Sequence, residues 1–152
     1  MTLIDGASTR ALRVVPDERG WLMEVLRADD PEFTKFGQVY VSATYPGVVK
    51  AWHYHEKQVD HFACVSGMVK LVLIDTRDGS PTKGVVNEFF LGEQNPMLVR
   101  VPNGVYHGWK CISVTPSLVI NVPNEPYNRA DPDEHRIEPH GTLDYDWTRK
   151  DG

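Results

Sequence analysis

His53 and His55 stand two residues apart in the stretch GVVKAWHYHEKQVDHFACVSG (47–67), and Asp60 follows five residues after His55. A third histidine, His107, closes PNGVYH (102–107). Two chemistries fit these residue types. Three imidazoles and a carboxylate are a sound cage for a divalent first-row metal. A single imidazole, with an ordinary pKa of about 6.5, is equally suited to moving a proton at neutral pH. The two exclude each other at His53, because a ring nitrogen bound to metal is no longer a free base.

Whether these side chains meet depends on the elements that carry them. On a strand successive side chains alternate faces, so His53 and His55 share one. The surrounding chain reads as strand. QVYVSATY (38–45), HFACVSG (61–67), MVKLVLIDT (68–76), VVNEFFL (85–91), MLVRVP (97–102) and SLVINVP (117–123) are short and rich in branched and aromatic residues. Turn residues separate them, and no βαβ rhythm appears. The pattern predicts an all-β sandwich or barrel, a single domain over 1–152. Short helical segments are expected at 30–37 and 131–137. The Pro-, Asp- and Arg-rich tail from Asn124 is expected to wrap the barrel, and DGSPTKG (78–84) reads as a hairpin turn.

The bulk composition excludes some partners. The 152 residues carry a net charge of −5, which argues against nucleic acid, although a few arginines in a pocket still suit a small anion. No apolar run reaches about 18 residues, so no membrane span is expected. Cys64 and Cys111 form no CxxC pair, and the N-terminus lacks the basic and apolar regions of a signal peptide. A cytoplasmic protein with reduced thiols is the simpler expectation.

The order Gly47, His53, His55, Asp60, Gly67, with Pro102 and His107 downstream, resembles the metal-binding motifs of the cupin superfamily, with Asp60 where Glu is usual. A longer resemblance runs through DERGWLMEV (17–25), FGQVYVSATYPGVVKAWHYH (36–55), DTRDGSPTKG (75–84), VPNGVYHGW (101–109) and YDWTRKDG (145–152). In order and content these blocks resemble the dTDP-4-dehydrorhamnose 3,5-epimerase family. The resemblance implies a cupin-type jelly-roll β-barrel, commonly a homodimer with exchanged N-terminal strands. It implies epimerisation of a 4-keto-6-deoxy sugar nucleotide without metal. It assigns the base to His53 and a second pocket histidine to His107. Arg19 would take the diphosphate, often across the dimer. Glu24 and Gln38 would contact the sugar, and Lys50, which stands where the family has arginine, would hold the oxyanion or ligand together with His107.

The chain also departs from that family. The lysine that steadies the enolate falls on Asp60, the tyrosine that serves as opposite-face acid falls on Ile120, and HYQ becomes HYH through His55. Three readings follow. The first is an epimerase with no cofactor and another acid, such as Tyr40, Tyr54 or Tyr106. The second is a cupin enzyme with one divalent transition metal on His53, His55, Asp60 and His107. The third is a protein that binds a sugar nucleotide without turnover.

Overall fold

The computed structural model describes residues 2–151. Its strands are β1 (Ser8–Ala11), β2 (Val14–Asp17), β3 (Gly20–Met23), β4 (Tyr40–Thr44), β5 (Val49–Tyr54) and β6 (Asp60–Ser66). They continue as β7 (Met68–Ile74), β8 (Val86–Gly92), β9 (Met97–Val101), β10 (Tyr106–Cys111), β11 (Ser117–Asn121) and β12 (His135–Arg136). Two antiparallel five-stranded sheets face each other, in the orders β1-β9-β6-β11-β4 and β12-β5-β10-β7-β8. The hairpin β2-β3 stands apart from both. This is the all-β sandwich that the strand pattern predicts.

Alternation builds the core. Phe62 and Cys64 from β6, Val99 and Val101 from β9, and Val119 from β11 point inward from one sheet. Leu71 and Leu73 from β7, Phe89 and Leu91 from β8, and Trp109 from β10 meet them from the other. The β6–β7 turn is tight enough to demand glycine: Gly67 has φ 68°, and a Cβ there would lie 2.7 Å from Ser113 Oγ.

Both outer faces are covered by chain ends. Leu12, with Met23, Val25 and Leu26, packs over Ala63 and Leu98. Trp147 and Tyr145 from the tail close over Trp52 on β5, so the tail wraps the sandwich as expected and also seals a second apolar cluster.

No helix occurs among the described residues, which corrects the expectation at 30–37 and 131–137. Both segments are short, and their polar side chains are committed elsewhere. Asp30 accepts from Arg10 Nη2 at 2.6 Å and from the Arg27 N–H at 2.8 Å. Asp133 accepts the N–H groups of Glu56, Lys57 and Gln58, and His135–Arg136 then pairs with β5. A helix of one or two turns has too little internal bonding to compete with such contacts.

Candidate active site

One end of the sandwich changes character. Along each inward-facing row the side chains run apolar and then turn polar. On β6 the row Cys64, Phe62 ends at Asp60, and on β10 the row Cys111, Trp109 ends at His107. On β11 Val119 gives way to Asn121, and on β4 Thr44 and Ser42 lead to Tyr40. His53 and His55 complete this polar end from β5 and the turn after it. Buried polar groups need partners, and here they find one another.

A cleft of about 770 Å³ opens at this end. His53, His55, Lys50, Gln38, Tyr40 and Arg136 are among the side chains that line it. Lys50 and His53 are three apart and would face opposite ways on a regular strand. Register explains why they do not. His107 pairs with His53 while Trp109 pairs with Lys50, so β5 carries one extra residue over that span. Such a bulge turns the chain and re-aims its side chains. Gly108 sits opposite, where a Cβ would lie 2.3 Å from Ala51 Cβ.

His53 is half-buried in the cleft wall, and its ring nitrogens have no hydrogen-bond partner among the described residues. Burial first, and then the neighbouring His107, hold it well below the ordinary 6.5, with Asp60 opposing and His55 and Arg136 adding to the shift. It is therefore an unprotonated imidazole at neutral pH. His107 lies behind it, ring centroids 4.1 Å apart, 1% exposed and outside the cleft wall. His107 thus stands behind His53 and not in the cleft wall, where it was expected to hold the oxyanion or ligand.

Behind the two rings sits Asp60. Its Oδ1 accepts from Gln58 Nε2 and from Asn121 Nδ2, each at 2.7 Å. Its Oδ2 lies 3.3 Å from His55 Nε2 and 3.2 Å from His107 Nε2. Main-chain carbonyls fix both ring tautomers. His55 Nδ1 donates to Asp133 O and His107 Nδ1 to Val105 O, so each Nε2 turns toward the carboxylate. Gln58 Nε2 lies 3.2 Å from His55 Nε2 and can donate to it, but His107 Nε2 is buried without an aligned partner. Burial pushes the Asp60 carboxyl up. The His107 imidazole, His55 and the Asn121 amide outweigh it and hold the group well below the usual carboxylate range.

The remaining predicted residues divide. Lys50 lines the cleft, its Nζ donating to Ser42 Oγ (2.8 Å) and Ala43 O (2.6 Å). Gln38 lines it too, its Oε1 accepting from the Tyr127 N–H at 3.2 Å. Arg19 and Glu24 do not reach the cleft of their own chain. Arg19 is bound to Asp17 at the tip of the exposed β2-β3 hairpin, and Glu24 pairs with Arg27. Sequence reading missed Gln58, Asn121 and Arg136. Parity could have found Asn121, two residues beyond inward Val119. Nothing local marks Arg136, which the tail delivers through its pairing with β5.

An antiparallel sandwich with a wide polar cleft at one end defines a cupin-like barrel. The dTDP-4-dehydrorhamnose 3,5-epimerase family model matches residues 1–151, and the chain belongs to that family. It is 44% identical over 144 residues to the probable low-salt glycan biosynthesis epimerase Agl13 of Haloferax volcanii, covering 90% of this chain and 89% of that one. It is 40% identical to the spore coat polysaccharide biosynthesis protein SpsL of Bacillus subtilis, covering 95% and 97%. The dTDP sugar isomerase from Desulfovibrio desulfuricans superposes with a TM-score of 0.91 at 33% identity, over 97% of this chain and 94% of that one. No helix of the described chain is long and apolar enough to cross a membrane.

Proposed function

We propose that the protein, as one domain, inverts a carbon next to the ketone of a 4-keto-6-deoxy sugar nucleotide, with His53 as the base. The observation that carries this reading is the state of His53: unpartnered, unprotonated and facing a cleft large enough for a sugar nucleotide. A hydrogen beside a ketone is acidic because the electron pair left behind spreads onto oxygen. A neutral imidazole can take that proton, and a nearby cation stabilises the oxyanion. Lys50 is the cation suited to the enolate or a phosphate, Gln38 and Arg136 orient the ligand, and His107 positions His53 from behind. No cofactor is required.

Arg19 and Glu24 fit the same scheme if the protein is a homodimer. The β2-β3 hairpin that precedes Glu24 is unpaired with either sheet and exposes Trp21, Leu22 and Val15. β4, beside the cleft, is an edge strand. Laying the hairpin against a partner's edge would cover this apolar surface and carry Arg19, a fork of donors suited to a diphosphate, to the partner's cleft. The decisive test is solvent deuterium incorporation into a dTDP-4-keto-6-deoxyhexose. Wild type should incorporate label and His53→Asn should lose at least 100-fold. Absence of label with wild-type protein would sink the reading.

One observation favours a second reading. Ring nitrogens of His53, His55 and His107 lie within 4.8 Å of one another, with Asp60 Oδ2 beside two of them and His107 Nε2 buried and unpartnered. These residues fit a divalent transition metal, which would polarise the ketone. Elemental analysis decides. One ion per chain, lost in His55→Ala, would make His53 a ligand and retire it as the base.

A further inference from the structure

An inversion needs a proton taken from one face of the carbon and another returned to the opposite face. Isoleucine at 120 can return none, and Ile120 is not in the cleft wall. The two sheets supply a substitute. β5 brings His53 to the cleft from one sheet, and β4 brings Tyr40 to it from the other. Of the other two candidate tyrosines, Tyr54 and Tyr106 pack against each other with ring centroids 4.8 Å apart, and Tyr54 stacks on His135. Neither lines the cleft.

The hydrogen bonding of Tyr40 fixes which way its proton can go. Asn121 Nδ2 donates to Tyr40 Oη at 3.0 Å and to Asp60 Oδ1 at 2.7 Å. An amide nitrogen has hydrogens to give and none to accept. The phenol oxygen is therefore the acceptor, and its own hydrogen is left for the cleft. We infer that Tyr40 is the general acid that protonates the enolate carbon on the face opposite His53. The inference rests on the function proposed above.

The step balances without a further reactant. A ring nitrogen of His53 takes the hydrogen as a proton, and the C–H electron pair moves into the enolate. The Tyr40 O–H bond then breaks, the new C–H bond forms from the enolate pair, and the ketone is restored. Water returns a proton to the phenolate, which Asn121 holds by its N–H, and removes the proton from His53. Burial, partly offset by Asn121, pushes the Tyr40 phenol up to about 12, so it stays protonated through the neutral range.

The test separates removal of a proton from its return. Tyr40→Phe and wild type are incubated in heavy water with a dTDP-4-keto-6-deoxyhexose, and both label and configuration are read by NMR. Circular dichroism and dTDP binding check the fold. Wild type should label and invert. Tyr40→Phe should still label recovered substrate within about 3-fold of wild type while inversion falls 100-fold or more, the usual weight of a positioned acid being about 10²–10⁴. Inversion at the wild-type rate in Tyr40→Phe would overturn the assignment. So would joint loss of labelling and inversion in a folded, dTDP-binding variant, which would make Tyr40 a positioning residue. If wild type itself neither labels nor inverts, the proposed function falls first and takes this inference with it.

Discussion

The buried carboxylate at Asp60 makes the sharpest prediction. Asparagine there has the same shape, so its effect depends on charge alone. Suppose the surrounding rings were neutral. The asparagine oxygen could accept from Gln58 and Asn121 as Asp60 Oδ1 does, and its amide hydrogens could point to Nε2 of His55 and His107. Every group would be satisfied, a buried charge would vanish, and the variant would equal or exceed wild type. The geometry argues otherwise. With Nδ1 of both rings already donating, neutral rings would turn lone pairs toward a carboxylate oxygen at 3.2 and 3.3 Å, in a site where Asp60 is 1% exposed. A carboxylate so placed calls for a positive charge between it and the rings. Removing the anion strands that charge, which costs about 3–5 kcal/mol. At a urea m-value of about 2 kcal/mol/M, the midpoint of Asp60→Asn should fall by about 1.5–2.5 M at neutral pH. Urea denaturation followed by fluorescence and circular dichroism measures it. A midpoint equal to or above wild type, with unchanged m, would refute the charged site.

Three further predictions concern neighbouring parts of the molecule. Because His53 is held well below 6.5, the acid limb of the kcat/KM profile for deuterium exchange should lie below pH 6.5; a limb at or above 6.5 would contradict this. Asp75 is fully buried and holds Arg77, Ser80 and Thr82, which outweigh desolvation and keep its carboxyl below the usual range. The unfolded carboxyl therefore binds its proton first as pH falls, so the stabilisation is complete above about pH 4 and is lost on further acidification; Asp75→Asn should lose about 3–5 kcal/mol at pH 7 and show a flatter acid limb in urea titrations. Gly108→Ala would press on Ala51 and the Lys50 carbonyl at the β5 bulge, shifting Lys50 against His53; activity should drop at least 10-fold while a 1–3 kcal/mol loss in stability leaves the protein folded, checked by exchange assay and melting.

The sequence made the fold legible because its strands announce themselves. β7 and β11 are dense in branched residues and bounded by turns, and their inward rows follow from parity. The same parity placed His53 and His55 together. The rest depended on distance along the chain. β12 holds two residues and exists because Asp133 ties the tail to the turn after β5, a link spanning more than 70 residues. Lys50 joins His53 in the cleft through a bulge whose cause, the register against β10, lies on another strand. Arg19 was read from a motif, but in the folded chain it is bound to Asp17 on the exposed hairpin, away from the cleft. His107 was read as touching ligand because motif spacing records which residues converge and not which of them stands in front.

The two departures from the family pattern turn out to be connected. By the resemblance in sequence, Asp60 stands where a lysine is expected and Ile120 where a tyrosine is, which as separate losses would remove a cation and an acid. In the folded chain Asn121, adjacent to Ile120, donates to both Asp60 and Tyr40. Asp60 therefore shares a hydrogen-bond donor with the Tyr40 phenol, which lines the same cleft as His53. A site that had merely decayed would leave such groups unpaired, because a buried carboxylate without partners is costly. Here Asp60 Oδ1 accepts from Gln58 and Asn121, and Oδ2 lies beside the His55 and His107 rings. Asp60 and Asn121 thus form one network that runs from the histidine cluster to the phenol on β4, and lysine at position 60 alone should disable the protein. Asp60→Lys would set a cation against the His55 and His107 rings and remove the acceptor for Gln58 and Asn121. Loss of labelling in that variant fits a rearranged active site, whereas a gain in labelling would show that the family's own arrangement lies intact beneath the substitutions.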